Sequence, residues 1–262
     1  MEWSEPDAVV NDVWRPWRYV LRAPLLLLHI LIGLPIALLL INPLTARLRL
    51  RSERIDDRVL RAWSATLLRI FGFRLRRIGQ SVGGGVLMVA NHVSWIDITL
   101  LHSQHAVGFV AKAEISRWPL IGWLARRAGT IYHQRGSNTS LLSVQQRMME
   151  LLRGGRAVGV FPEGGTGDGV TMRVFHARIL QAAVEADVPV QPVALRFGNG
   201  GSAQKDVAFA PGENFLQNFF RLLGDPARAA EVHFLEPLPE LAGGRRAMAE
   251  LARARILEAM AG

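Results

Sequence analysis

The chain of 262 residues contains no cysteine. A disulfide framework, a thiol nucleophile and a thiolate metal site are therefore excluded, and a reducing compartment fits. Acids are scarce over one region. Between Arg15 and Gly79 thirteen arginines face only Glu53, Asp56 and Asp57. Charge of either sign is missing from Ala23 to Ala46, twenty-four residues without Asp, Glu, Lys or Arg. As a helix that run is about 36 Å long, enough to cross a hydrocarbon core of about 30 Å. A cleaved signal peptide is disfavoured, because the basic residues start too late and no small-x-small site follows.

The net charge of +9 is concentrated around this apolar run. Basic residues in that position match anionic lipid headgroups, each worth about 1 kcal/mol near a surface. A nucleic-acid partner is disfavoured, since it calls for arginines on a polar face with aromatic platforms. Pro24, Gly33 and Pro35 interrupt the run, and arginines flank both of its ends. A bent helical hairpin dipping into one leaflet, with both ends cytoplasmic, satisfies both facts; a single span is the alternative. Residues 1–55 are thus read as an N-terminal membrane-associating helical region and residues 56–262 as an α/β domain.

In that domain the spacing of Val59, Leu60, Trp63, Leu67, Leu68 and Phe71 predicts an amphipathic packing helix over 56–72. Buried strands are predicted at 73–78, 86–90, 107–111, 129–132, 157–161, 188–197 and 232–235. Helices are expected from Ser94 to His105 and over 140–153, 174–185 and 245–260. A further strand is expected around 207–209. Strands alternating with helices define an α/β layer fold, here a mixed central sheet flanked by helices.

Polar residues gather where strands end. The run Val86–Ala90 leads into Asn91-His92, and Ser94-Trp95-Ile96-Asp97 opens a helix. His92 with a carboxylate five residues on is a possible base and orienter. Ser94-x-x-Asp97 equally fits a capping box, in which Asp97 only caps the helix. Arg135 follows another strand, and its fork suits a phosphate. The strand at 157–161 exits into Pro162-Glu163-Gly164-Gly165-Thr166-Gly167-Asp168-Gly169, a loop whose glycines leave N–H groups open to an anion. Glu163 is expected to accept hydrogen bonds from substrate hydroxyls. His102 and His105 have metal-ligand spacing without an acidic partner, and are read as packing or surface residues. Neither Gly83-Gly84-Gly85 nor Gly164–Gly169 matches a nucleotide-binding fingerprint, so no nucleotide cofactor is inferred.

Four segments in order resemble the glycerolipid acyltransferases of the lysophosphatidic acid acyltransferase type. They are Asn91-His92-Val93-Ser94-Trp95-Ile96-Asp97; Lys112-Ala113-Glu114 with Gly129-Thr130-Ile131-Tyr132-His133-Gln134-Arg135; Phe161-Pro162-Glu163-Gly164-Gly165-Thr166; and Val188-Pro189-Val190-Gln191-Pro192-Val193. The resemblance covers about residues 73–198 and the hydrophobic N-terminus. It implies an acyltransferase fold and direct acyl transfer from acyl-carrier protein or acyl-CoA to a lysolipid hydroxyl, with no metal and no bound cofactor. His92 and Asp97 would be catalytic. Lys112, Arg135, Glu163, Gly164, Gly165 and Thr166 would bind substrate, and the enzyme would sit at the inner (cytoplasmic) membrane with its catalytic domain facing the cytoplasm.

Many members follow Glu-Gly-Thr with an arginine. Here Gly165 intervenes and Gly167-Asp168-Gly169 follows, a pattern similar to relatives that acylate lyso-ornithine lipids, whose acceptor has no phosphate. Lysophosphatidic acid (1-acyl-sn-glycerol-3-phosphate), giving phosphatidic acid, is the first expectation for the acceptor and lyso-ornithine lipid the second. A lipid hydrolase using the pair to serve a serine, and a non-enzymatic membrane-binding protein, are lower alternatives.

Overall fold

The computed structural model describes residues 12–262 apart from 43, 52, 119–120, 135–137 and 240–242. The chain opens with α1 (Arg15–Leu28), a π-helical turn (His29–Gly33) and α2 (Leu34–Leu40). These form one continuous helical run, Arg15–Leu40, long and apolar enough to cross a membrane. The expected hairpin within 23–46 is not formed. Pro24 is accommodated inside α1, and Pro35 follows directly on the π-helical turn, whose wider winding makes room for a residue without an N–H. Reversal comes later, at the two-stranded antiparallel hairpin β1 (Arg49–Leu50) and β2 (Glu53–Arg54). Then α3 (Ile55–Ile70) packs back against α1 and α2. His29, inside the apolar run, is buried against Trp63 of α3, ring centroids 4.9 Å apart.

The remaining elements follow in order: β3 (Phe73–Ile78), β4 (Val86–Ala90), α4 (Trp95–Gln104), β5 (Gly108–Lys112), α5 (Ile121–Arg127), β6 (Ile131–His133), α6 (Asn138–Arg153), β7 (Ala157–Val160), α7 (Gln181–Ala186), β8 (Val190–Phe197), α8 (Gln204–Val207), α9 (Phe215–Gly224), β9 (Arg228–Phe234) and α10 (Gly244–Ala261). Seven strands form one sheet in the order β3-β9-β8-β4-β7-β5-β6. All neighbours are parallel except β8 with β9, so the sheet is mixed. β4 lies at its centre and all five of its residues are buried. Val86, Met88 and Ala90 enter one core with α3, α4 and α9; Leu87 and Val89 enter the other with α6, α7 and α10. A strand covered on both faces reads as an unbroken apolar run, which is why β4 and β7 were legible without alternation.

Two local expectations differ from the structure. The helix over 174–185 is confined to a 3₁₀ turn (Ala177–Leu180) and α7. Before it, the backbone bonds elsewhere: Arg173 N–H donates to Glu163, His176 N–H to the Pro162 carbonyl, and Arg253 takes the carbonyls of Met172 and Arg173. The strand around 207–209 is instead the end of the short helix α8, where Gln204 side-chain groups bond Phe197 N–H and the Leu195 carbonyl. The helix α9 carries no expectation from the sequence.

Candidate active site

The parallel strands β4, β7, β5 and β6 end on one edge of the sheet, so the loops that follow them meet there. Asn91 fixes the exit of β4. Its amide donates to the Leu195 carbonyl (3.0 Å) and accepts from Leu195 N–H (2.8 Å), continuing the pairing with β8 past the end of the strand.

His92 is then held on several sides. Its backbone N–H donates to Glu163 Oε1 (2.8 Å), and its carbonyl accepts from Gly167 N–H (2.7 Å). Its ring stacks on Phe161, centroids 4.0 Å apart and 14° from parallel. Nδ1 lies 2.8 Å from Asp97 Oδ2. An ionised carboxylate only accepts, so Nδ1 carries the proton and Nε2 keeps its lone pair. Among the described residues Nε2 has no partner.

Asp97 is fully buried, and its Oδ2 accepts from three donors: His92 Nδ1, Val93 N–H (2.6 Å) and Ser94 N–H (2.8 Å). The two readings of Asp97 therefore describe one arrangement. The carboxylate caps α4 and holds the imidazole with the same oxygen.

Glu163 is engaged by the backbone around it. It is buried, with Oε1 on His92 N–H and Oε2 on Arg173 N–H (3.1 Å). Burial pushes its carboxyl above the usual range, although both N–H groups pull the other way. Each oxygen thus accepts from one backbone N–H, and Glu163 braces the chain at His92. Gly164 has φ +73°, and a Cβ there would lie 3.2 Å from the His176 ring. Gly165 and Thr166 are half-buried and Gly167 is buried beneath His92.

Asp168, next in the loop, is exposed, and its Oδ1 accepts from Val170 N–H (2.8 Å) and Thr171 N–H (2.9 Å). These N–H groups, Thr171 first, hold its carboxyl below the usual range. Lys112 is exposed at the end of β5. Arg135 lies outside the described residues, just past the end of β6.

Among the described residues no group of three His, Asp or Glu is arranged to hold a metal. His102 is buried edge-on to Phe109 (5.0 Å), and burial pushes both His102 and His105 down to about 4. Gly79-Gln80-Ser81-Val82-Gly83 has the spacing of a hydrolase nucleophile elbow. Ser81 follows β3, however, and precedes β4, at the sheet edge opposite His92, in no strand-to-helix turn. Its Oγ lies 3.1 Å from His105 Nδ1, a base too weak for general-base work near neutral pH.

Two contributors carried no expectation. Phe161 backs the His92 ring and itself stacks on Phe109 (5.4 Å). Asn218 of α9, fully buried, accepts from Trp95 Nε1 (3.0 Å) and Ser94 Oγ (3.3 Å) at the start of α4. Phe161 adjoins the Glu163 loop and was open to inference. Asn218 lies over a hundred residues from its partners, with no local pattern to point to it.

A buried carboxylate orienting a histidine at a parallel-sheet edge is a general-base site of the kind that activates a hydroxyl. The acyltransferase family model matches residues 73–196, which contain the whole arrangement. The chain is 40% identical over 199 residues to a lyso-ornithine lipid O-acyltransferase of Pseudomonas aeruginosa, covering 76% of each protein. It is 36% identical over 126 residues to a 1-acyl-sn-glycerol-3-phosphate acyltransferase of Neisseria gonorrhoeae, covering 48% of this chain and 49% of that protein. The crystal structure of the 1-acyl-sn-glycerophosphate (LPA) acyltransferase PlsC from Thermotoga maritima shares its fold, with a TM-score of 0.71, 18% identity and coverage of 96% of this chain and 98% of that one. The chain belongs to the acyltransferase family; it is an O-acyltransferase of lipid metabolism.

Proposed function

We propose that this enzyme transfers a fatty acyl group from acyl-carrier protein or acyl-CoA to the hydroxyl of a lyso-ornithine lipid, with His92 as general base. The observation carrying the mechanism is the His92–Asp97 contact at 2.8 Å, with Nε2 unengaged among the described residues. Nε2 takes the hydroxyl proton as the acceptor oxygen attacks the thioester carbonyl carbon. The tetrahedral intermediate collapses with cleavage of the C–S bond, and the leaving thiolate recovers the proton from the imidazolium. Asp97 stabilises that imidazolium. The chemistry uses no metal and no bound cofactor.

Two observations support the acceptor. The relative matched over three-quarters of its length is named a lyso-ornithine lipid O-acyltransferase. The loop beneath His92 presents an ionised carboxylate at Asp168, one residue after Gly167 bonds the His92 carbonyl. A fixed negative charge there repels a phosphate and attracts the ammonium of an ornithine headgroup. Lysophosphatidate is the rival, favoured by the match to the gonococcal enzyme. Lys112, Arg135 and the Gly164–Thr166 backbone would meet the acceptor headgroup or the thioester. The apolar run Arg15–Leu40 with its arginines would hold the enzyme at the inner membrane, catalytic domain towards the cytoplasm.

The test is an acceptor panel with purified full-length protein and labelled acyl-carrier protein or acyl-CoA. Turnover of lyso-ornithine lipid well above lysophosphatidate is expected, and Asp168→Arg should shift the ratio towards lysophosphatidate. Turnover of lysophosphatidate alone would overturn the acceptor. His92→Ala should lose about 10²–10⁴-fold in kcat while staying folded and membrane-bound; full activity in that variant would remove the mechanism.

A further inference from the structure

The helix α9 has two faces with different duties. Inward, Asn218 bonds Ser94 and Trp95, and Phe219 stacks on Trp95 (5.5 Å) and packs edge-on against Phe71 (4.9 Å). Outward, Leu216 and Phe220 stand one turn apart and are 62% and 55% exposed. Large apolar side chains open to water on a short helix call for a partner. Trp118, also partly exposed, meets Phe215 of the same helix edge-on at 5.4 Å.

The position of α9 identifies that partner. Its C-terminal end is fastened to α1. Tyr19 Oη donates to the Phe220 carbonyl (2.7 Å), and Arg22 donates to the carbonyls of Leu223 (2.9 Å) and Asp225 (2.7 Å). The helices approach so closely that a Cβ on Gly224 would lie 2.6 Å from the Tyr19 ring. Phe220 thus lies beside a helix whose outward residues, such as Leu21 and Leu25, are apolar and exposed. The surface is continuous with the segment assigned above to the membrane, and arginines of α1 lie at the junction.

We propose that α9 is a second membrane contact. Leu216, Phe220 and Trp118 seat in the headgroup–acyl boundary of an anionic leaflet, where short amphipathic helices and tryptophans are stable. Asn218 and Phe219 carry that seat to Ser94 and Trp95, at the start of the helix that Asp97 caps beside His92. The bilayer then sets the position of the catalytic helix as well as supplying the acceptor. This inference rests on the membrane assignment of Arg15–Leu40.

The absence of native cysteine permits a site-specific test. Leu216→Cys, Leu25→Cys on α1 and Leu142→Cys on α6, in the opposite helical layer, are each labelled with an environment-sensitive fluorophore in the full-length protein. Vesicles of phosphatidylcholine and phosphatidylglycerol are then added. Labels at 216 and 25 should shift to the blue and be quenched by a lipid-borne nitroxide, and the label at 142 should not. A lipid signal at 25 with none at 216 overturns this inference alone. No lipid signal at 25 overturns the membrane assignment itself. A shift at 216 that depends on protein concentration and not on vesicles identifies a second copy of the chain as the occupant, and also overturns the proposal. As a second readout, the Leu216→Glu/Phe220→Glu variant should lower the ratio of activity on vesicles to activity in detergent micelles by about tenfold or more, from the transfer free energy of two large apolar side chains. An unchanged ratio contradicts it.

Discussion

Replacing Glu163 by Gln separates a residue that supports the base from one that binds the acceptor. Glu163 accepts from His92 N–H through Oε1 and from Arg173 N–H through Oε2. Gln has the same shape but one acceptor oxygen. Its amide nitrogen must then face one of the two N–H groups, donor against donor. Leaving one such buried N–H unpaired costs about 1–3 kcal/mol. Part of this is offset, because burial already raises the Glu163 carboxyl and a neutral amide avoids that desolvation. A net loss of about 1–2 kcal/mol remains, a fall of roughly 2–8 °C in Tm for a protein of this size. Displacing His92 by even 1 Å should lower kcat by up to about 10²-fold. The acceptor KM should hardly change.

The pH dependence has a fixed sign. A carboxyl raised on folding contributes stability below its unfolded pKa and loses it as pH rises through its folded value. The variant does not titrate there, so its stability deficit should narrow as pH rises. Steady-state kinetics over acceptor concentration, with thermal melts at several pH values, make the measurement. A raised acceptor KM with unchanged kcat and Tm would refute the reasoning and return Glu163 to the acceptor site.

Three further substitutions test neighbouring parts of the arrangement. Asp97→Asn keeps an acceptor for the Val93 and Ser94 N–H groups but loses the charge facing the imidazolium, so circular dichroism should show a folded protein while kcat falls by about 10²–10⁴-fold. Gly164→Ala places a Cβ at φ +73° and 3.2 Å from the His176 ring, and should cost roughly 1–2 kcal/mol in a denaturant titration. Adding His176→Ala should restore only the part due to contact. Glu213 is bound by Arg221 (2.7 Å) and Asn218 (2.9 Å), Arg221 foremost in holding its carboxyl down at about 2 against an ordinary 4.5. Stability from this pair is present above about 4.5 and is lost as pH falls from there to about 2. Glu213→Gln should flatten the acid limb of a plot of Tm against pH.

How far the fold could be read from the sequence followed where each segment's hydrogen bonds go. β4, β7 and β8 satisfy their backbone in the sheet and are buried throughout, so apolar runs marked them. That held for β8 although it contains Gln191, Pro192 and Arg196, because Gln191 bonds backbone at Val82, Gln80 and Leu235 and Arg196 bonds the Ala259 carbonyl. The segment 170–176 had helical apolar spacing at its end, yet its N–H and carbonyl groups bond Glu163, Pro162 and Arg253. Those partners are up to 81 residues away, and no local pattern encodes them. α9 was missed for a different reason. Its ten residues, Phe215–Gly224, carry the apolar spacing of an amphipathic helix, but they follow a glycine-rich stretch and were passed over with it.

Asp97 shows why two local readings need not compete. A capping-box carboxylate turns back over the first turn of its helix to reach the N-cap N–H. The residues just before the N-cap lie in the same direction, and the chain enters from β4 with His92 there. Asp97 Oδ2 meets Ser94 N–H at 2.8 Å and His92 Nδ1 at 2.8 Å. The cap therefore fixes the carboxylate that orients the base, and the spacing from His92 to Asp97 follows from helix geometry: two residues to reach the N-cap, three more to reach the capping position. Asn91 locks the other side by pairing with Leu195. The imidazole is held between a strand end and a helix start, both rigid. On the proposed mechanism the base gains from being held still, because the hydroxyl it meets belongs to a mobile lipid.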